Sequence, residues 1–407
     1  MDHATPARFL AAHEDTAPAP ALPGLRPPDA TAAGLHRQLP PPNPALRISV
    51  IIPAKDEAAN LPATLAALAA QTDLHGCPLP AGSFEVLVLA NNCTDATAAV
   101  VRQQARRLPG LVLHAATLRL PAPQAHVGRA RRLLMDAACT RLEQVGHPAA
   151  IIASTDADTR VAPTWLAAIA AEIAAGADAV GGRILTHMPE RTLLPLRRIQ
   201  VRDAAYRQLC ARLEDLLDPA PADPWPRHHQ HFGASLAITT RAYRRVGGLP
   251  EVRFLEDEAL CQRLRQHDLA LRHSPQVQVL TSARREGRVE VGLSWQLREW
   301  LHMSQQQREP HVENPHQLVR RWALRGELRA FWATGARQPP EALAARLGVS
   351  VALLLSQAWQ ATTFGLLWEW ALTHASGLQI DLLPLSGALH VLPLLIRDYE
   401  AAALVGL

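Results

Sequence analysis

The chain has 407 residues, with 41 Lys and Arg against 37 Asp and Glu for a formal charge of +4. Hydrophobic residues at 48% and charged residues at 19% supply a sizeable core, which excludes wholesale disorder and a small stapled scaffold and suits one large catalytic domain with appendages, or two domains. The basic surplus is carried by Arg, with Lys55 the one lysine; lacking a basic run, and with only 9 Trp, 3 Tyr and 6 Phe, it does not describe a nucleic-acid binder.

In chain order, prolines crowd the first 46 positions, as in Ala17-Pro18-Ala19-Pro20 and Pro40-Pro41-Pro42, where they sustain neither helix nor sheet ladder. Residues 1–46 are expected to be a disordered arm. From Arg47 a β-branched strand, Ile48 to Ile52, leads into a helical pattern over 57–71. The alternation recurs as strand 85–89 and helix 95–108, strand 111–114 and helix 128–141, then strand 149–155 and helix 165–175. Four such units predict an α/β fold with a mostly parallel sheet covered on both faces. In such sheets ligands bind beyond the carboxyl ends of the strands. A strand over 179–186, an Arg-rich helix over 193–217, a Pro-rich break over 218–226, a strand over 232–238, a helix over 256–266 and a strand over 269–281 follow. Beyond Gly292 the pattern is helical, at 293–307, 317–333, 349–372 and 380–404. We expect a domain over 47–290 and an α-helical region over 291–407.

Five scattered cysteines, Cys77, Cys93, Cys139, Cys210 and Cys261, form no CxxC pair and are odd in number, against a disulfide framework or zinc cluster. No signal-peptide pattern opens the chain and no apolar run reaches transmembrane length. A cytoplasmic location is expected. The aromatic stripe Trp359, Phe364, Trp368 and Trp370 reads as helix core or a homodimer contact, with peripheral membrane contact as the alternative.

The fourth strand runs into Asp156-Ala157-Asp158. In an extended backbone the two carboxylates point the same way and can hold a hard divalent cation; the plainer reading is an acidic turn or helix cap. Pro53-Ala54-Lys55-Asp56-Glu57 follows the first strand and Ala90-Asn91-Asn92-Cys93-Thr94-Asp95 the second. With Val127–Arg131 (V-G-x-A-R), the Gly233–Ile238 block with Arg241 and Gly247-Gly248, and Glu256-Asp257, this order of motifs resembles glycosyltransferase family 2 over about residues 47–290.

The resemblance implies a GT-A fold that transfers a sugar from a nucleotide-diphosphate donor, a UDP- or GDP-sugar, to an unidentified acceptor hydroxyl, with inversion and with Mn²⁺ or Mg²⁺. It implies metal ligation by Asp156 and Asp158, nucleoside contacts by Pro53, Ala54 and Glu57, and base recognition at Asn91, where family members often carry Asp. An amide both donates and accepts, so the base preference can differ; a turn role for Asn91-Asn92 is equally open. Arg129 or Arg131 matches the donor-holding cation, with surface solvation as the alternative. Asp257 is the implied base, with Glu256 beside it, although a helix N-terminus favours carboxylates without catalysis. Many relatives carry a His near Thr281 that completes the metal site, and none is present here. Arg284, Arg285 and Arg288 resemble a segment closing over the diphosphate, or form a basic loop. His228, His229 and His231 read as a solvated or acceptor-facing segment rather than a metal site. The competing functions are a nucleotidyltransferase of sugar phosphates and a catalytically inactive nucleotide-sugar-binding protein.

Overall fold

The computed structural model describes residues 30–187, 194–282, 292–335, 337 and 341–405. Its centre is an eight-stranded sheet. Strands β1 (Ile48–Ala54), β2 (Phe84–Asn91), β3 (Leu113–Leu118) and β4 (Ile151–Ser154) lie in the order β3-β2-β1-β4, all parallel, as the strand–helix alternation requires. The other half is mixed. It runs on from β4 through β7 (Leu236–Thr239), β6 (Ala179–His187) and β8 (Leu271–Ser282) to β5 (Thr159–Val161). Here β7 is antiparallel to both neighbours, β6 and β8 are parallel, and β5 is antiparallel to β8.

The period-2 alternation of the strands divides the core between two faces. Val50, Ile52, Val86, Val88 and Ala153 pack under helices α2 (Leu61–Ala69), α3 (Thr97–Arg107) and α5 (Trp165–Ala174). Their neighbours Ile51, Leu87, Leu89 and Ile152 point the other way, against α1 (Ala30–Arg37), α4 (Val127–Val145), α7 (Thr240–Arg245) and α8 (Glu256–Gln266). Both faces are covered, which is why the strands read as continuous apolar runs.

The expected arm is corrected in part. Residues 1–29 lie outside the described residues, but α1 is helical, and Ala32, Leu35 and Leu46 are buried in the core under α4. Arg141 of α4, fully buried, donates to the Pro40 carbonyl at 2.7 Å and to both oxygens of Glu85 on β2, at 2.9 and 2.6 Å. The prolines of 40–42 therefore lead a packed segment into β1.

Helix α6 (Leu194–Leu217) crosses the expected boundary near 290. Its Leu196 and Ile199 pack with Leu297 and Trp300 of α9 (Leu293–Gln305). Its Tyr206 and Leu213 join Val312 of β9 (His311–Glu313), Leu318 and Trp322 of α10 (Pro315–Ala333), and Leu385 and Leu392 of α14 (Leu385–Val405). A separate cluster unites α10 with α11 (Glu341–Leu347), α12 (Val351–Gln360) and α13 (Phe364–His374). The aromatic stripe divides: Phe364 is in that cluster while Trp359 is 67% exposed. The single helix expected over 349–372 is two, because the Thr363 hydroxyl caps α13 by accepting from the Leu366 N–H. No single helix among the described residues is long and apolar enough to cross a membrane.

Candidate active site

The site lies at the carboxyl ends of β1, β2 and β4. Two loops there are stapled to each other. Asp56, in the left-handed conformation at φ 53°, accepts from the N–H groups of Thr94 and Asp95 at 2.6 and 3.2 Å. Asp95 in return accepts from the N–H groups of Ala58 and Thr97 at 3.0 and 2.9 Å. The Thr94 and Asp95 N–H bonds hold the Asp56 carboxyl below its ordinary range despite some desolvation. One ligand atom each from Asp56, Cys93 and Asp95 lies within 4.8 Å of the other two, but those carboxylates are already committed to backbone donors.

The staple fixes the residues expected to face a nucleoside. Pro53 and Ala54 are buried at the end of β1, and Glu57 is buried with its N–H on the Thr97 hydroxyl at 2.8 Å and a carboxylate oxygen on the Asn60 amide at 2.7 Å. Asn91 is buried at the end of β2. The turn role falls to its neighbour: Asn92, at φ 51°, donates to the Leu120 carbonyl at 2.8 Å and accepts from the Leu120 N–H at 3.0 Å. Lys55 is exposed.

Asp156-Ala157-Asp158 departs from the expected geometry. It is a turn between β4 and β5, closed by the Thr159 N–H on the Asp156 carbonyl at 3.2 Å, so strand alternation does not set the direction of its side chains. Both aspartates are partly exposed, with the Asp156 side chain at 38%. The turn is anchored from below. Ser154 and Thr155 donate from their hydroxyls to the carbonyls of Gly233 and Ala234, at 2.9 and 3.0 Å, which draws the segment before β7 against the end of β4.

Arg131, on α4, ties this corner to α8. Its guanidinium donates to Asp156 Oδ1 at 2.7 Å and also to Glu256 Oε1. Solvation does not describe it, since the side chain is 5% exposed. Gly233 lies against that guanidinium so closely that a Cβ there would overlap it. The Gly233 N–H in turn donates to Asp257 Oδ2 at 2.7 Å, while Asp257 Oδ1 accepts from the Glu258 N–H at 2.8 Å. One buried cation thus sits between the carboxylate after β4 and the first turn of α8, and Gly233 joins it to Asp257. Arg129, also buried, pairs with Glu251 at 2.7 Å. Arg284, Arg285 and Arg288 lie outside the described residues.

Gly247-Gly248 has a structural role. Arg132 donates to the carbonyls of Gly247 and Leu249 at 3.1 and 2.6 Å, and a Cβ at Gly248, whose φ is 82°, would meet its guanidinium. The three-histidine segment is also corrected. His228 and His231 are buried, not solvated, and their ring nitrogens bond to neighbouring groups rather than converging on one point.

Residues 49–224 match the family model for glycosyl transferase family 2. The chain carries a family 2 glycosyltransferase domain. No curated protein matches the sequence. Solved structures similar to it include Staphylococcus aureus TarS 1–349 in complex with UDP-GlcNAc, 16% identical over 77% of this chain and 78% of that chain, with a TM-score of 0.40. The mannosyltransferase PcManGT from Pyrobaculum calidifontis, in complex with GDP-Man and Mn²⁺, is 17% identical over 91% of this chain and 88% of that chain, also at 0.40. The match to the family ends before β7, α8 and β8, yet in this glycosyltransferase those elements complete the sheet and bring Gly233, Glu256 and Asp257 to the matched half.

Proposed function

We propose that this glycosyltransferase is a GT-A enzyme that moves a sugar from a UDP- or GDP-sugar to an acceptor hydroxyl with inversion, using Mn²⁺ or Mg²⁺. The observation that supports it most is the Asp156–Arg131–Glu256 bridge, which holds the partly exposed Asp156 carboxylate beside the first turn of α8. Asp156 and Asp158 fit a hard divalent cation: both are oxygen donors and both are reachable from solvent. A bound cation there would offset charge on a leaving diphosphate.

The remaining roles belong to the chain's own side chains. The ends of β1 and β2, with Pro53, Ala54, Glu57 and Asn91, form the nucleoside floor, held rigid by the reciprocal Asp56 and Asp95 staples. Arg131 orients Asp156. Asp257 accepts the acceptor hydroxyl's proton as attack occurs; its bonds from Gly233 and Glu258 fix the carboxylate, and its partial exposure leaves it reachable. Inversion follows from a single carboxylate acting as base rather than as nucleophile. Titration calorimetry of UDP and GDP with and without Mn²⁺ tests the donor side. The expected result is metal-dependent binding of one of the two, lost in Asp156→Ala, and metal-independent or absent binding of both contradicts the reading.

A further inference from the structure

A buried chain of side chains links the loop before Gly233 to α8. His273 Nδ1 meets Asp223 Oδ2 at 2.7 Å, His273 Nε2 meets His231 Nδ1 at 3.0 Å, and His231 Nε2 meets Glu258 Oε2 at 2.5 Å. Gly181 lets this loop lie on β6, for a Cβ there would overlap the Gln230 carbonyl.

Counting protons decides the charge of the chain. Both terminal groups are carboxylates. Asp223 also accepts from the His273 N–H at 2.8 Å and from Arg272 at 3.1 Å, and Glu258 Oε1 accepts from Arg265 at 2.9 Å. Burial opposes ionisation of each, but the His273 bond at Asp223 and the His231 bond at Glu258, then Arg265, outweigh it and hold both below the carboxylate range. Ionised carboxylates only accept, so three hydrogen bonds in a row need three N–H protons. Two neutral imidazoles bring two. The third proton makes the pair a single imidazolium.

We propose that His231 and His273 share one proton as a buried cation, and that this cation is a positioning device that clamps the 228–233 loop to α8 and so orients Asp257. The loop meets α8 twice: His231 bonds Glu258, and two residues on, the Gly233 N–H bonds Asp257. Burial pushes the His273 ring below its ordinary range, against its bond to Asp223. The other rings packed here do not compete. His228 Nε2 donates to the Ser274 carbonyl at 3.0 Å and its ring is pushed down to about 3 by burial, and His229 is pushed well below its ordinary range. The guanidinium groups facing the chain, Arg227, Arg265 and Arg272, each contact one of its carboxylates, and Arg227 and Arg272 further pair with Glu214 and Glu172. Arg207 and Arg183 act on the rings from farther away. Losing the shared proton at high pH removes the clamp while leaving its carboxylates in place.

The orientation of Asp257 matters to turnover only if Asp257 is the base, so this part rests on the function proposed above; the charge of the pair does not. The test uses the full chain labelled with ¹⁵N in its histidine rings, with His231→Gln and His273→Gln assigning the two resonances and Glu258→Gln, which keeps the side chain's shape, as a third variant. At pH 7 the expected spectrum shows one ring of the pair protonated on both nitrogens, and neutral rings in Glu258→Gln. Two neutral rings in the wild type overturn the shared proton. Amide exchange over 232–235 is expected to quicken by about tenfold in Glu258→Gln, and unchanged exchange overturns the clamp. In kinetics, kcat is expected to fall by about tenfold with donor KM within about twofold, and the alkaline fall of the kcat–pH profile to disappear; an unaltered kcat and profile overturn the positioning role. A wild type that transfers no sugar counts against the proposed function and leaves the spectroscopic and exchange results to decide the clamp.

Discussion

Asp257 is held by two backbone N–H groups, from Gly233 and Glu258, so replacing it by Asn keeps one accepting oxygen and the shape of the first turn of α8. What Asn cannot do is take a proton. In Asp257→Asn, kcat is expected to fall by about 10²- to 10⁴-fold with a native circular dichroism spectrum retained; near-normal kcat contradicts the base assignment. The candidates after β4 and at the start of α8 were legible in the sequence because each follows a recognisable strand or opens a recognisable helix. The bonds that give them meaning were not. Arg131 meets Glu256 across 125 positions and His231 meets Glu258 across 27, separations that no local pattern encodes. Asn91 and Asn92 looked interchangeable in sequence, and only the strand end and the left-handed φ of Asn92 assign the staple to the second. Glu85 adds a residue-level prediction. Burial alone would raise its carboxyl, but Arg141, His114 and Ser49 outweigh that and bring it from 4.5 to about 2. A depressed carboxyl contributes stability above its unfolded value and loses it as pH falls through the folded one. Urea unfolding should therefore show a loss on the order of 3 kcal/mol between about pH 4.5 and 2, absent in Glu85→Gln.

At the scale of elements, the end of α8 opposite Asp257 is bolted to the C-terminal helices. Asp268, at φ 51°, accepts from the N–H groups of Phe364 and Gly365 at 2.7 and 2.8 Å, capping α13, and Glu369 accepts from Gln262 and Gln266, both at 2.6 Å. Gly365 sits so close to the Arg265 carbonyl that a Cβ would overlap it. Asp268→Ala should cost about 1 to 2 kcal/mol in denaturant unfolding, since it leaves two N-terminal donors of α13 unpaired; no measurable loss would mean that the cap is not holding the joint. The docking was invisible in sequence because α13 starts at Phe364, behind its cap Thr363, with neither Pro nor Gly in front of it. Short elements escaped for a related reason. Three residues of β5 carry no period, and the eight residues of α1 follow a stretch whose prolines dominate the local pattern.

For the whole molecule, the parallel half of the sheet followed from strand–helix alternation, whereas the insertion of antiparallel β7 between β4 and β6 did not, because sequence order gives no sign of a strand returning to the sheet's centre. That insertion is what joins the two halves of the site. It places Gly233 under Ser154 and Thr155 and beside Arg131, so the carboxylates after β4 and the first turn of α8 act as one corner. In the proposed reaction this corner activates a nucleotide-diphosphate sugar with a divalent cation. Release of nucleoside diphosphate from a panel of UDP- and GDP-sugars, with Mn²⁺, Mg²⁺ or a chelator and without added acceptor, tests it most directly. Slow release from one donor class, dependent on the cation and lost in Asp156→Ala, is expected; release that survives both chelation and that substitution, or none from any donor with either metal, overturns the proposed function.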